Sequence, residues 1–466
     1  MDLEVARAYC KKSLVGAIAQ LQGSVELTQL ETLADLITRT MTGQWRYFHT
    51  PEHIFEVGGS VDAVEVLAAL FHDLVYVQVD QDINFNISRY IAPFIKEVKG
   101  QLGILQAGEL PVDPIFEIVM AVFGFAPAQV LSPFNGQNEF LSAIVAAKAL
   151  EAFLLPSFIG QIAACIEATI PFRPLSPEGF SPSEELYQRL EKANHQFKFS
   201  WSQAQTIEVV KRSVRLANRD VENFAFPNSG DFLDNTWNLM PETNHELSNA
   251  DSYTVQGYRR SLLKMEAFMN FLKPERVFKQ FKGEPDEFTY RQLVLKTRKN
   301  LEVARLYLRV KLIAIAILEA VSYSLGRSVP LTTLMGELPR SEINTPTLEQ
   351  FLIDMPIANP PETPLEREVL ELLSKGRNQE SVYDLKNSPI ATTIIKSIGF
   401  GSVGHLNQQA KAFFSGTISA EAFLKECNAD AIGRIMCAME KLFESRAAKL
   451  KELRKKLKES CVSPLG

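Results

Sequence analysis

The chain of 466 residues is 46% hydrophobic and 22% charged, the composition of a globular, soluble protein with room for two or three packed domains. Its 49 basic and 55 acidic residues give a net charge of −6, so the overall electrostatics do not indicate nucleic acid as a partner. Five scattered cysteines, Cys10, Cys165, Cys427, Cys437 and Cys461, contain no Cys-x-x-Cys pair, which argues against a zinc knuckle and fits a reducing cytoplasm.

The N-terminal run "MDLEVARAYCKKSLVGAIAQ" threads Glu4, Arg7, Lys11 and Lys12 through its apolar stripe. It lacks the charge-then-apolar order of a secretory leader. In "RYFHTPEHI" (46–54), Thr50 followed by Pro51 predicts a helix start, because threonine is a good N-cap and proline is pre-organised for the first helical position. His53 then falls in the first turn and His49 just outside it. The next helix carries a stripe of Val64, Leu67, Ala68 and Phe71 into His72 and Asp73 near its end. The most apolar stretch, 152–166, is short for a membrane span of ~20 residues and reads as a buried core helix.

Breaker-rich stretches at 170–183 and 224–244 predict long loops, candidates for the rim of a pocket. Between them Val210, Val214, Ala217 and Val221 form another helical stripe, with Asp220 beside it and Lys211, Arg215 and Arg219 on what reads as a solvated face. Helical periodicity dominates and period-2 alternation is scarce, so the expected class is all-α. The polar segment 274–287 carries Pro and Gly. It places a first domain over about 1–280 and a helical C-terminal domain over about 285–466.

His72 and Asp73 are costly to bury unless paired or metal-bound. With His53 and Asp220 they make a set of two imidazoles and two carboxylates, suited to a divalent ion: Zn, Mn, Fe, Co or Ni, or Mg with several waters. Asp231, Asp234 and Asp251 are the alternatives to Asp220.

The sequence "RYFHTPEHI", then "LAALFHDLVY", then a distant aspartate resembles the HD-domain superfamily of metal-dependent phosphohydrolases. Its first segment is also similar to the Tyr-His-Asn-x-x-His signature of cyclic nucleotide phosphodiesterases. The resemblance covers roughly residues 30–230. It implies an HD-type helical bundle with the metal between helices, held by His53, His72, Asp73 and Asp220. It also implies that Asp73 orients a metal-activated water and that His49 gives a proton to the leaving oxygen. The substrate would be a nucleotide or related small phosphorylated molecule. Arg46, Lys148 and Arg173 are cations that could hold its phosphate. Two departures stand out. Asn84, Asn86 and Ser88 follow where the family commonly carries an acidic pair, and "IEATIPFR" lacks a histidine that many members place nearby. These favour one ion over two, and they keep open a second function: an HD scaffold that binds or regulates without turnover.

Gly399-x-Gly401-x-x-Gly404, with Glu421 about 20 residues on, has the spacing of a dinucleotide fingerprint. Its downstream sequence is helical and no second strand completes the unit, so a tight turn is expected. The chain closes on a helical pattern over 418–460 whose stripe, Met436, Met439, Phe443, Ala447, Leu450, Leu453 and Leu457, suits a partner helix. Docking on its own domain is the first expectation and a homo-oligomer the second.

Overall fold

Capping residues and apolar periodicity set where the helices begin and which faces they bury. The computed structural model describes residues 1–24, 26–248, 254–325, 348–352, 356–379, 381, 383–442 and 446–461. The class is all-α, as expected: the described strands are one short antiparallel hairpin, β1 (Ile95–Val98) and β2 (Gln101–Ile104), with Ile95 opposite Ile104. The sequence reading had no place for that hairpin. No described helix is long and apolar enough to cross a membrane.

The chain divides into two compact units, Met1–Ala225 with Lys273–Thr297, and Phe226–Leu272 with Arg298–Gly466. The boundary differs from the sequence reading, which kept 226–272 with the first domain. The stretch 224–244 is also not a loop. Asn228 accepts a hydrogen bond from Gly230 N and starts a helix over Ser229–Trp237, and another follows at Leu239–Thr243.

In the first unit the helices are α1 (Leu3–Gln20), α2 (Leu27–Met41), α3 (Pro51–Gly58), α4 (Ala63–His72), α5 (Val77–Asp80), α6 (Phe85–Ile91), α7 (Pro114–Phe123), α8 (Gln137–Leu150), α9 (Pro156–Ala168), α10 (Pro182–Phe197) and α11 (Gln203–Asp220). The apolar 152–166 stretch supplies most of α9, which packs against α4, α7, α8 and α11. Every residue of α4 is buried, Glu65 and His72 included. Burial of Leu67, Phe71, Phe140, Ile144, Ile162, Cys165, Val210 and Val214 supplies the main driving force, at roughly 1.5–3 kcal/mol for each large side chain.

The second unit encloses a buried charge network. Lys311, 1% exposed, lies 3.1 Å from both oxygens of Asp384, and Arg377 bridges Asp384 (3.2 Å) and Asp234 (3.0 Å). Trp237 Nε1 donates to Asp384 Oδ2 at 2.6 Å. Gly399 closes the helix Pro389–Ile398 with φ 72°, and another helix starts at Val403. The glycine motif is thus a turn between helices. The C-terminal pattern is broken into helices Ala420–Glu426, Ala429–Leu442 and Ala447–Cys461, the last two packed together. Met436, Met439, Leu450 and Leu457 are buried, so these four members of the stripe are covered within the chain, while Ala447 and Leu453 are half-buried. Phe443 lies outside the described residues, as do 326–347 and 353–355 of the Pro-punctuated section.

Candidate metal centre

Three helices of the first unit deliver the four proposed ligands. Thr50 is the N-cap of α3 and Pro51 its first residue, which puts His53 in the first turn; the Thr50 hydroxyl itself makes no capping bond. His72 is the last residue of α4 and Asp73 its C-cap, while Asp220 ends α11. One donor atom from each lies within 4.8 Å of the others. His72 Nε2 is 3.0 Å from Asp73 Oδ2 and 3.3 Å from Asp220 Oδ1; His53 Nε2 is 3.4 Å and 3.1 Å from the same atoms.

The donor set fits a divalent ion on two observations. Asp73 Oδ2 is buried and makes no well-aligned hydrogen bond, only ion-pair contacts with the two imidazoles, and a buried acceptor without a well-formed bond costs up to about 1–3 kcal/mol. His72 Nδ1 donates to Ala69 O at 2.8 Å. That bond fixes the ring and turns Nε2 toward the cluster, as a metal-ligating histidine requires.

A salt-bridge latch holds the ligand-bearing helices together. Asp62 caps α4 by accepting from Val64 N and Glu65 N, and its other oxygen takes Arg212 Nε at 2.7 Å. Buried Glu65 receives Arg215 at 3.0 Å and Arg219 at 2.5 Å. Arg219 Nε also donates to Val57 O at the end of α3, at 2.7 Å. Arg215 and Arg219 are therefore not a solvated face, as their spacing suggested. They neutralise a carboxylate that α4 has no polar face to expose.

Of the three cations expected to hold phosphate, two are committed elsewhere. Arg46 is 7% exposed and gives its donors to Asp80, to Asp73 O at 2.6 Å and to Leu74 O at 3.2 Å. It braces the backbone of the His72–Asp73 turn instead of facing a substrate. Lys148 pairs with Asp113 and Glu151. Arg173 donates Nη1 to Glu167 at 2.6 Å while its Nε is buried without a partner. His49 stands beside the four ligands and not among them, its ring 4.5 Å from that of Tyr76 and 5.9 Å from that of His53. Asp231 and Asp234, the alternatives to Asp220, are bonded to Asn378 and Arg377 within the second unit, and Asp251 lies outside the described residues.

Glu139, in α8, was missed. Burial pushes its carboxyl up to about 7, and the charges of Asp73 and Asp220 add to that. It supplies an acid near the cluster that the segment after Tyr76 does not: Asp80 there is taken by Arg46, and Asn84 caps α6 by accepting from Asn86 N. The only sequence signal was a lone carboxylate in the apolar run "FLSAIVAAKAL" and its flank.

Burial disfavours protonated imidazoles, yet the carboxylates of Asp220 and Asp73 outweigh it and hold His53 up to about 9 and His72 well above its ordinary range. Burial would raise the carboxyls, but the neighbouring histidines bring Asp220 down to about 2 and Asp73 well below its usual value. The His53 shift, from 6.5 to about 9, contributes stability that is complete below pH 6.5 and disappears as pH rises through about 9. Asp220, lowered from 3.8 to about 2, contributes above pH 3.8 and loses it as pH falls through about 2. Metal-free protein should therefore melt at a lower temperature at pH 9 than at pH 6.5, and His53→Gln should shrink that difference. A melting temperature flat across this window in the wild type would contradict the electrostatics described.

Compared with known proteins, the chain matches no protein-family model, no curated protein and no solved structure.

Proposed function

We propose that the chain is a metal-dependent phosphohydrolase that cleaves a phosphoester or phosphoanhydride bond of a nucleotide or related small phosphorylated molecule. The observation that carries this reading is the convergence of His53, His72, Asp73 and Asp220 on one point, with Asp73 Oδ2 buried against the two imidazoles. A divalent ion, when bound, supplies Lewis acidity and makes water a competent nucleophile near neutral pH. The remaining work belongs to side chains. The Asp73 carboxylate accepts a hydrogen bond from the attacking water and orients it. His49, next to the ligands but outside them, delivers a proton to the leaving oxygen. Arg173 places positive charge against the non-bridging oxygens that gain charge in the transition state.

One observation favours a second reading, an HD-type scaffold that binds a ligand without turnover: Asn84 and its neighbours cap a helix where an acidic pair would otherwise stand. A phosphate-release screen over nucleotides with Mn, Mg, Ni and Co separates the two. Release that needs the metal and stops with a chelator is expected. Silence with every metal, from protein that retains its ion, would leave the binding scaffold.

A further inference from the structure

The helix Ala429–Leu442 has two faces with different surroundings. Ile432, Ile435, Met436 and Met439 are buried in the second unit. The opposite row, Asp430, Gly433, Arg434, Cys437 and Lys441, recurs at three and four residues, so one helical face presents all five. With Ala429, Phe351 and Arg454 it lines a cavity of about 360 Å³, large enough for a small organic molecule. Exposed Lys441 and half-exposed Cys437 keep the cavity in reach of solvent.

Gly433 opens the floor of this cavity. A glycine inside a helix is destabilising relative to alanine, yet a Cβ built here would meet no atom within 4 Å, so no close packing demands the missing side chain. Its effect is free space beside the cations. Arg434 pairs with Asp430 at 2.9 Å along the helix. Arg454 pairs with Glu440 at 3.2 Å and lays Nη1 on Cys437 Sγ. Lys441 has no carboxylate partner among the described residues. The lining side chains and the carboxylates bonded to them thus hold three cations, Arg434, Lys441 and Arg454, against two anions, Asp430 and Glu440. The excess is one positive charge, and it falls on Lys441.

We propose that this cavity binds a small organic monoanion, a carboxylate on an apolar body, with the carboxylate on Lys441 and the body between Phe351 and the bare backbone of Gly433. The site stands apart from the phosphohydrolase reading, because all of its residues belong to the second unit and none is a proposed metal ligand. The single excess charge decides against a phosphate dianion, which would leave the cavity negative. The apolar part of the wall, Phe351, Ala429 and Gly433, decides against an anion as small as acetate, which would leave that part uncovered.

Cys437 reports on occupancy. It is half-exposed, whereas Cys10, Cys165 and Cys427 are buried, and peptide mapping after treatment of the full-length protein with iodoacetamide gives its rate of alkylation. At millimolar concentration 4-phenylbutyrate should slow that rate at least about fivefold, as a site about 80% occupied would. The uncharged 4-phenylbutyramide and acetate should leave the rate nearly unchanged. Calorimetric titration then reads the variants, whose own side chains alter access to the thiol. Lys441→Met should weaken 4-phenylbutyrate by about fivefold, the upper end for a solvent-exposed ion pair, and Lys441→Arg should restore it. Gly433→Leu should abolish binding by filling the floor, with a melting temperature unchanged or higher because leucine is the better helix former. Gly433→Ala, a smaller change, should weaken binding in part and covers the case in which the leucine variant does not fold. No protection of Cys437 in the wild type, equal protection by the amide, or wild-type affinity in Lys441→Met or Gly433→Leu overturns the proposal.

Discussion

Metal in the purified protein is expected to fall from about one ion per chain to none when His72→Ala and Asp73→Ala are combined. Two of four donors go at once, and because the apparent binding free energy of such sites, about 10–16 kcal/mol for structural zinc, comes mostly from those donors, half a set does not hold the ion. The backbone should stay in place. Arg46 holds the main-chain oxygens of Asp73 and Leu74, bonds that do not depend on either deleted side chain, and the Glu65 latch lies more than a helical turn away on α4. Elemental analysis reads the metal and circular dichroism confirms the helices. A double variant with full stoichiometry would mean that the cluster is a set of structural ion pairs.

His49→Ala is expected to leave the metal in place and to lower kcat by about 10²- to 10⁴-fold on a substrate with a poor leaving group, the usual contribution of a positioned general acid. On a nitrophenyl ester, whose leaving oxygen needs no proton, the loss should be much smaller. The position of the ring supports this division: it packs on Tyr76 and sits close enough for its charge to reach Asp73, yet it is not one of the four converging donors. Equal losses on the two substrates would remove His49 as the acid. Loss of metal would make it a ligand.

The four residues that converge were legible because the place of each on its helix depends on local sequence. Thr50–Pro51 marks where a helix begins, which locates His53; the stripe ending at Phe71 locates His72 and Asp73; the stripe through Val210, Val214 and Ala217 offered Asp220, with Asp231, Asp234 and Asp251 left open until the structure brought Asp220 to the cluster. Glu139 was not legible, because its place near the cluster is made by packing between distant segments, α8 against α4. Arg46 failed for a related reason. A cation beside a metal motif looks available until the carbonyls and the Asp80 carboxylate that consume it are in view. Arg215 and Arg219 were misjudged because the reading gave α4 one apolar stripe. All ten of its residues are buried, so Glu65 has to be neutralised from another helix, and a lone carboxylate in "AVEVLAALFH" was the clue.

The Glu65 latch bears on anyone who would graft this centre onto another scaffold. Copying His53, His72, Asp73 and Asp220 alone would transplant the donors without the frame that aims them. Asp62, Glu65, Arg212, Arg215 and Arg219 tie the ends of α3, α4 and α11 to one another, and carboxylates buried without their arginines would be a liability in the new host. The portable module is therefore nine side chains on three helices. Five of them are not among the four converging donors.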